Sequence, residues 1–156
     1  MGSAVRDKGV AEGNGGAIGA TAVVPLVMAS YTESDAALCD MARSIVAARR
    51  KLAGHLDGAL FANPGLDILM FLFAEGVNGA TVTTNACCAA AGVPRTTALR
   101  WVKLLQDRGL IAGSDDVSDR RVTMLALTDR ARDIVRVWLS EIQELPLKSA
   151  SDPVYR

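Results

Sequence analysis

Side chains able to recognise DNA lie close together between positions 94 and 103. The group comprises Pro94, Arg95, Thr96, Thr97, Arg100 and Lys103. An arginine can donate two parallel hydrogen bonds to the O6 and N7 edge of guanine, which gives about 1 to 3 kcal/mol of discrimination. A threonine can bond a phosphate or contact the methyl group of thymine. The alternative is that the arginines are merely solvated charges on the protein surface.

The segment that carries these side chains is predicted to be an α-helix. Gly92 and Val93 form a tight turn, and Pro94 suits the first helical position, whose backbone N–H needs no intrahelical partner. Gly109 supplies a helix stop. A buried stripe recurs at helical spacing and leaves the arginines, Thr96 and Lys103 free to reach outward; it consists of Ala98, Trp101, Val102 and Leu105.

A second, shorter helix is predicted immediately upstream, over residues 83–91. This stretch is rich in small residues, and Thr84 or Asn85 could serve as its N-cap. Small side chains let two helices cross closely. The two segments together predict a helix-turn-helix, which places the start of its second helix in the major groove of DNA.

The residues that follow predict a β-hairpin with a basic tip. Leu110 to Ala112 is the first strand, 113–121 a polar loop and 122–127 the second strand, while 81–83 could add a minimal strand to the same sheet. Such a hairpin beside a helix-turn-helix is a wing. An arginine at its tip would gain from a narrow, electronegative minor groove.

Residues 81–132 resemble the MarR family of winged helix-turn-helix transcription regulators. The matching motifs are Gly92-Val93-Pro94-Arg95-Thr96-Thr97, Arg108-Gly109-Leu110-Ile111 and Asp119-Arg120-Arg121-Val122-Thr123-Met124-Leu125-Ala126-Leu127-Thr128. The resemblance implies that Arg95, Thr96, Thr97 and Arg100 face the major groove, that Arg120 or Arg121 enters the minor groove, and that Asp119 orients a wing arginine. Two departures, Ala112-Gly113 in the first wing strand and Ala131 in place of a frequent glycine, predict a weaker wing contact.

Length and charge predict one compact domain that acts as a dimer. The 156 residues carry 17 basic and 17 acidic side chains, so a DNA-facing surface requires segregation of charge. A monomer with few phosphate contacts would bind weakly, and a dimer multiplies them. We expect an N-terminal arm over 1–32, the winged helix with flanking dimerisation helices over 33–147, and a tail over 148–156.

The flanking helices are predicted over 34–52, with Ser34 as a candidate cap, and over 129–145. Each has an apolar stripe, which in the second helix runs through Ala131, Ile134, Val135, Trp138, Ile142 and Leu145. In MarR-like proteins such helices form the dimer, but packing within one chain would give the same stripes. Residues 49–51 are interpreted as a solvated helix end favoured by the helix dipole, with phosphate contact as the alternative. The fold class is therefore mainly α with a small β-hairpin.

A buried helix is predicted over 64–76, between the first flanking helix and the helix-turn-helix. Its residues are apolar nearly all round. Met70, Phe71 and Phe73 are interpreted as core residues. The family resemblance suggests the alternative that they border a pocket for an aromatic small-molecule effector.

Other chemistry finds little support in the sequence. Cys39, Cys87 and Cys88 do not form a disulfide framework, and Cys39 is interpreted as a buried hydrophobe, with a redox sensor as the alternative. His55, placed in a connection between helices, has no zinc-type spacing to the cysteines. We therefore expect no metal, no cofactor and no catalysis. The apolar run 17–29 is too short for a bilayer, and a signal peptide is disfavoured, so we expect a cytoplasmic protein.

The sequence thus predicts a dimeric repressor that binds a palindromic double-stranded DNA site. A small molecule could control it by favouring a spacing of the two recognition helices that misfits DNA. The competing hypothesis is a protein-interaction module in which the winged helix is a scaffold and the face with Arg95 and Arg100 docks onto a partner protein.

Overall fold

The computed structural model describes residues 31–32, 34–115 and 122–145. They form five α-helices and a three-stranded antiparallel sheet, so the predicted fold class is confirmed. A short 3-10 helix, Gly58–Phe61, follows the first helix. The elements are α1 Ser34–His55, α2 Pro64–Val77, β1 Val82–Thr83, α3 Thr84–Ala90, α4 Arg95–Asp107, β2 Ile111–Asp115, β3 Thr123–Leu127 and α5 Asp129–Glu144.

The sheet has the strand order β1-β3-β2. Val82 of β1 pairs with Leu125, and β2 pairs with β3 from Ile111 opposite Leu127 to Asp115 opposite Thr123. The first wing strand is therefore longer than predicted, because 113–115 continue the ladder where a loop was expected. Glycine, serine and aspartate are poor strand formers, and here the backbone pairing with β3 overrides that local preference.

Helix α2 lies at the centre of the fold. It packs against α1, α3, α4, α5 and β3, and Ile68 and Phe73 are completely buried within it. This confirms the prediction of a buried helix. Close packing against α4 depends on Gly65, because a Cβ at that position would lie 2.9 Å from the ring of Trp101.

Three predicted helix starts are wrong by one or two residues. Thr83, not Thr84 or Asn85, caps α3, since its hydroxyl accepts a hydrogen bond from the backbone N–H of Ala86 at 3.1 Å. Pro94 is the N-cap of α4 and Arg95 its first residue. Ser34 lies inside α1, whose start is instead held by hydrogen bonds between Thr32 and the Asp35 carboxylate. At the starts of α1 and α3 several cap-forming residues stand close together, and tertiary contacts decide among them.

Helix α1 continues to His55, beyond the predicted end at Leu52. His55 is therefore the exposed last residue of the helix and does not lie in a connection. The basic residues 49–51 likewise lie within the helix and not at its end.

The apolar stripe predicted for α5 is divided between two faces. Ala131, Val135 and Leu139 are buried against the core, whereas Ile134 and Trp138 are 51% and 36% exposed. Burial at intervals of four residues selects one side of the helix, and the remaining apolar side chains form a separate outward face.

Several predictions fall outside the described residues. These are most of the arm 1–32, the tail 148–156 and the wing-tip residues Asp119, Arg120 and Arg121. No helix in the described ranges combines the length and the apolar character that crossing a membrane requires.

Candidate nucleic-acid interface

Helix α4 presents a polar face to the outside. Ala98, Val102 and Leu105 are buried, and the opposite side carries Thr96, Arg100 and Lys103, which are all exposed. Thr96 and Arg100 are four residues apart and Lys103 follows three later, so their side chains form one stripe. Arg95 is also exposed at the start of the helix, and Thr97 is half-buried.

The start of α4 leaves backbone donors available. Pro94 forms the N-cap, and no side chain of the described residues caps this end of the helix. The backbone N–H of Ala98 bonds the Pro94 carbonyl at 3.0 Å, so the first three N–H groups, of residues 95–97, precede that bond. Unpaired N–H groups at a helix start attract phosphate. Arg95, Thr96 and Thr97 therefore place side-chain and backbone donors at the same exposed end.

The other end of α4 is anchored to the sheet. Gly109 adopts a positive φ of 66° and ends the helix, with the N–H of Leu110 bonded to the Leu105 carbonyl at 2.9 Å. The hydroxyl of Thr128 donates to the Gly109 carbonyl at 2.9 Å and also accepts from the N–H of Ala131 at the start of α5. One threonine thus joins α4, β3 and α5 and fixes the orientation of α4.

The cationic side chains of α4 differ in their pairing. The Lys103 ammonium donates to the Asp107 carboxylate at 2.6 Å within the helix. Among the described residues, neither Arg95 nor Arg100 has an ion-pair partner. Within the described part of the chain, no carboxylate compensates the charge of these two arginines, in contrast to that of Lys103.

A polar depression of about 260 Å³ lies beside Arg95. Its lining combines the start of α3 with the base of the wing: Thr83, Thr84, Asn85, Val122 and Thr123. Thr84 is fixed there by donating its hydroxyl hydrogen to the Thr123 carbonyl at 3.1 Å. Sequence reasoning treated Thr84 and Asn85 only as capping candidates and missed their place beside Arg95. The available signal was the run of polar residues at the start of α3, opposite the start of β3.

The structure places the base of the wing but not its tip. β2 and β3 run side by side to the pair Asp115 and Thr123. Asp119, Arg120 and Arg121 lie outside the described residues, so their contacts with DNA stay predictions.

A buried carboxylate behind the helix-turn-helix was missed by the sequence analysis. Asp67, in the first turn of α2, is 3% exposed. Arg49 forms an ion pair with it and also donates to the Phe61 carbonyl. Arg50 lies 3.7 Å from its second oxygen and donates to the Ala90 carbonyl at 2.6 Å. The interpretation of residues 49–51 as a solvated helix end is therefore wrong for Arg49, and it is incomplete for Arg50, which is half-exposed but paired, whereas Lys51 is exposed as predicted. An aspartate in the first turn of a mainly apolar helix was the signal, since a buried charge requires a partner.

A second buried carboxylate joins α1 to α5. Asp35 is fully buried and accepts two hydrogen bonds from Arg136, at 2.7 and 3.0 Å. The Arg136 guanidinium holds the pKa of Asp35 below its ordinary value, against the opposing effect of burial. This ion pair spans 101 positions of sequence, which local patterns do not reveal.

The three cysteines are buried free thiols. Burial raises the pKa of Cys39 and raises that of Cys87 to about 12. A protonated thiol is a poor nucleophile, so the interpretation of Cys39 as a buried hydrophobe is favoured over a redox sensor. Within the described part of the chain, no group of three or more His, Cys, Asp or Glu side chains is arranged to hold a metal ion.

A mainly apolar groove of about 590 Å³ runs between α1, α2 and α3. Met70 and Phe71 line it, as the effector hypothesis required. Phe73 does not line it but is buried, and its ring packs edge-on against that of Tyr31 with 5.8 Å between the ring centroids. Alanines form much of the remaining wall, and Arg43, Arg50, Asp67 and Glu75 provide its charged positions. The groove has the size of a small-molecule site.

No family model and no curated protein matches the sequence. Solved structures do. The chain is similar to winged-helix regulators of the MarR family. A complex of S. aureus MepR with DNA is 22% identical over 66% of this chain and 82% of that one, with a TM-score of 0.48. A protein of Archaeoglobus fulgidus is 19% identical over 55% of this chain and 90% of that one, with a TM-score of 0.47.

A variant of Lactococcus lactis ZitR is 25% identical over 53% of this chain, with a TM-score of 0.41, and the alignment spans 57% of the ZitR chain. These neighbours are winged-helix regulators of the MarR family, the family that residues 81–132 resemble. These alignments cover only part of the chain. The geometry of the site therefore follows from the helices and strands of this chain alone.

Proposed function

We propose that the protein is a sequence-specific regulator of transcription that binds double-stranded DNA through α4 and the wing. The observation that carries the proposal is the exposed face of α4. Among the described residues, Arg95 and Arg100 have no ion-pair partner and no side chain caps the backbone N–H groups beside Thr96 at the helix start. Bases are recognised by side chains of this type at the start of a helix in the major groove.

Individual roles follow from position. Arg95 and Arg100 contact base edges, and Pro94, Thr96 and Thr97 lie against the phosphate backbone at the same end. Lys103 must give up its ion pair with Asp107 before it contacts a phosphate. Its net contribution to the free energy of DNA binding is therefore smaller than that of an arginine. In the wing, Asp119 orients Arg120 or Arg121 toward the minor groove.

Dimerisation brings two recognition helices to one palindromic site. The outward face of α5 supports this, because Ile134, Val137, Trp138 and Leu145 are exposed apolar side chains on one terminal helix. Leu52 and Leu56 near the end of α1 are exposed as well. A symmetric pairing through these faces would place the two α4 helices in successive major grooves, about 34 to 36 Å apart. The dimer acts as a repressor by occupying a promoter.

The groove between α1, α2 and α3 is the proposed place for a small-molecule effector. Its wall includes α1, one of the two helices proposed to form the dimer, and α3, the first helix of the helix-turn-helix. A mainly apolar ligand could bind more tightly to the dimer with one spacing of the two recognition helices than to the dimer with the other spacing. The ratio of these two ligand affinities limits how far the ligand can change the affinity for DNA.

Selection of bound sequences from a random duplex library tests the proposal. The purified protein is used at near-physiological salt beside a triple variant, Arg95→Ala, Arg100→Ala and Arg121→Ala. Enrichment of a palindrome by the parent alone is the expected result. The absence of enrichment by the folded parent, with affinity for duplex insensitive to salt, would favour the protein-interaction module.

A further inference from the structure

The turn between α3 and α4 is held from behind by a side chain of α1. Helix α3 is short and ends at Ala90. The Ala90 carbonyl lies in the last turn, so it needs a hydrogen-bond donor from outside the helix. Arg50 supplies it, with its Nη2 2.6 Å from the Ala90 oxygen. The bond connects positions 40 residues apart and reaches the residue that precedes the turn.

Arg50 is itself held in place by a buried charge. Asp67 lies 3.7 Å from Arg50 through one oxygen and binds Arg49 through the other. Because Asp67 is almost completely buried and belongs to the central helix α2, it gives the Arg50 guanidinium a fixed anchor. The three elements α1, α2 and α3 therefore meet at this guanidinium.

The turn lies directly against this cluster. Gly92 has a positive φ of 66°, which favours glycine. A Cβ at position 92 would lie 3.5 Å from an Asp67 oxygen and 3.8 Å from Arg50 Nη2. Movement of Arg50 would thus change both the end of α3 and the backbone that leads into Pro94 and α4.

We propose that Arg50 is a positioning residue that fixes the turn between α3 and α4 and thereby orients the recognition helix. It also forms part of the groove wall, so it connects the groove with the turn. The consequence for DNA affinity rests on the proposed function. The effect on the turn itself does not.

Arg43 provides a matched control. It lies two turns earlier on α1, and its side chain is 50% exposed beside 49% for Arg50. It lines the same groove and pairs with a carboxylate of α2, Glu75, at 3.6 Å. Its ion pair is with α2, and among the described residues it forms no hydrogen bond with α3. Arg43→Met and Arg50→Met therefore remove the same charge and one ion pair to α2 each. The partner of Arg50 is the more buried carboxylate but keeps Arg49, and only Arg50→Met removes the bond to Ala90.

The experiment compares the two variants by hydrogen exchange of the Ala91 amide, which donates to the Cys88 carbonyl at 3.3 Å at the start of the turn, and by affinity for the selected DNA site. We expect Arg50→Met to accelerate exchange at the turn and to weaken DNA binding, each by about tenfold, as the loss of one charge-assisted hydrogen bond implies. We expect Arg43→Met to change both by less than about twofold. If Arg50→Met does not fold, Arg50→Lys and Arg43→Lys are compared, with the same direction expected.

Equal exchange at the turn in the two variants would overturn the proposal. Faster exchange in the Arg50 variant alone, in a protein whose parent binds no duplex, would support the positioning role and refute the proposed function. The two failures are therefore distinguishable.

Discussion

Replacing Asp35 by asparagine removes the charge of a fully buried carboxylate that binds Arg136 through both oxygens. Asparagine keeps the shape but offers one oxygen in place of two, and it removes the buried negative charge from the Arg136 guanidinium. Breaking a buried pair by removing one partner costs about 3 to 5 kcal/mol. Arg136 is 27% exposed and keeps Asp133 at 2.9 Å, so we expect a loss near the lower end, about 3 kcal/mol at neutral pH.

The effect has a defined dependence on pH. The folded state lowers the pKa of Asp35, so its ionised form stabilises the fold at every pH above the unfolded pKa of about 3.9. That contribution is lost as the pH falls through the lower pKa of the folded state. The difference between parent and Asp35→Asn should therefore be constant from neutral pH to about pH 5 and shrink below about pH 4.

Urea unfolding at fixed protein concentration measures this difference, since association would otherwise change the apparent stability. Asp133→Asn is the control, because Asp133 binds the same arginine from an exposed position, where a salt bridge contributes less than about 1 kcal/mol. Equal losses in the two variants, or a loss for Asp35→Asn that stays unchanged down to pH 3, would refute the assignment of a buried ionic contact between α1 and α5.

Three further predictions concern binding, assembly and reactivity. Arg100→Ala should weaken binding to the selected site by about tenfold and relax preference at one base pair, measured with single-base variants; a uniform loss on all duplexes would place Arg100 on a phosphate instead. Trp138→Asp should convert the proposed dimer into a folded monomer, because it puts a charge on the apolar outward face of α5, and a dimer that persists in sedimentation would exclude this face from the interface. Cys87 should resist iodoacetamide at pH 8 until the protein is unfolded, because burial raises its pKa to about 12, and rapid alkylation of folded protein would contradict that burial.

The parts of the structure that the sequence predicted best are those fixed by local patterns. The stripe of Ala98, Val102 and Leu105 located α4, and Gly109 located its end, because helix periodicity and a left-handed C-terminal residue act within a few positions. The exposure of Arg95 and Arg100 followed from the same periodicity. Whether these side chains contact DNA is a separate prediction that only binding experiments address.

The parts that were missed depend on contacts between distant residues. Residues 113–115 have weak strand preference and became part of β2 through pairing with β3. The two faces of α5 cannot be separated from its sequence, because Val135 and Trp138 suit a core or an interface equally well. Arg49 and Arg50 looked like a solvated helix end, since nothing near them in sequence announces the buried Asp67.

Each end of α1 is held by an ion pair that includes a buried carboxylate. Asp35, near its start, binds α5 through Arg136, and Arg49 and Arg50, near its end, bind α2 and α3 through Asp67 and Ala90. Apolar side chains between them tolerate small sliding movements, whereas a hydrogen-bonded ion pair is directional and loses much of its energy when misaligned. A rotation of α1 relative to the winged helix must therefore break one of these contacts or carry its partner along. At the second contact the partner is the end of α3, next to the turn that leads into α4, so a change in the packing of α1 can alter the position of α4 directly.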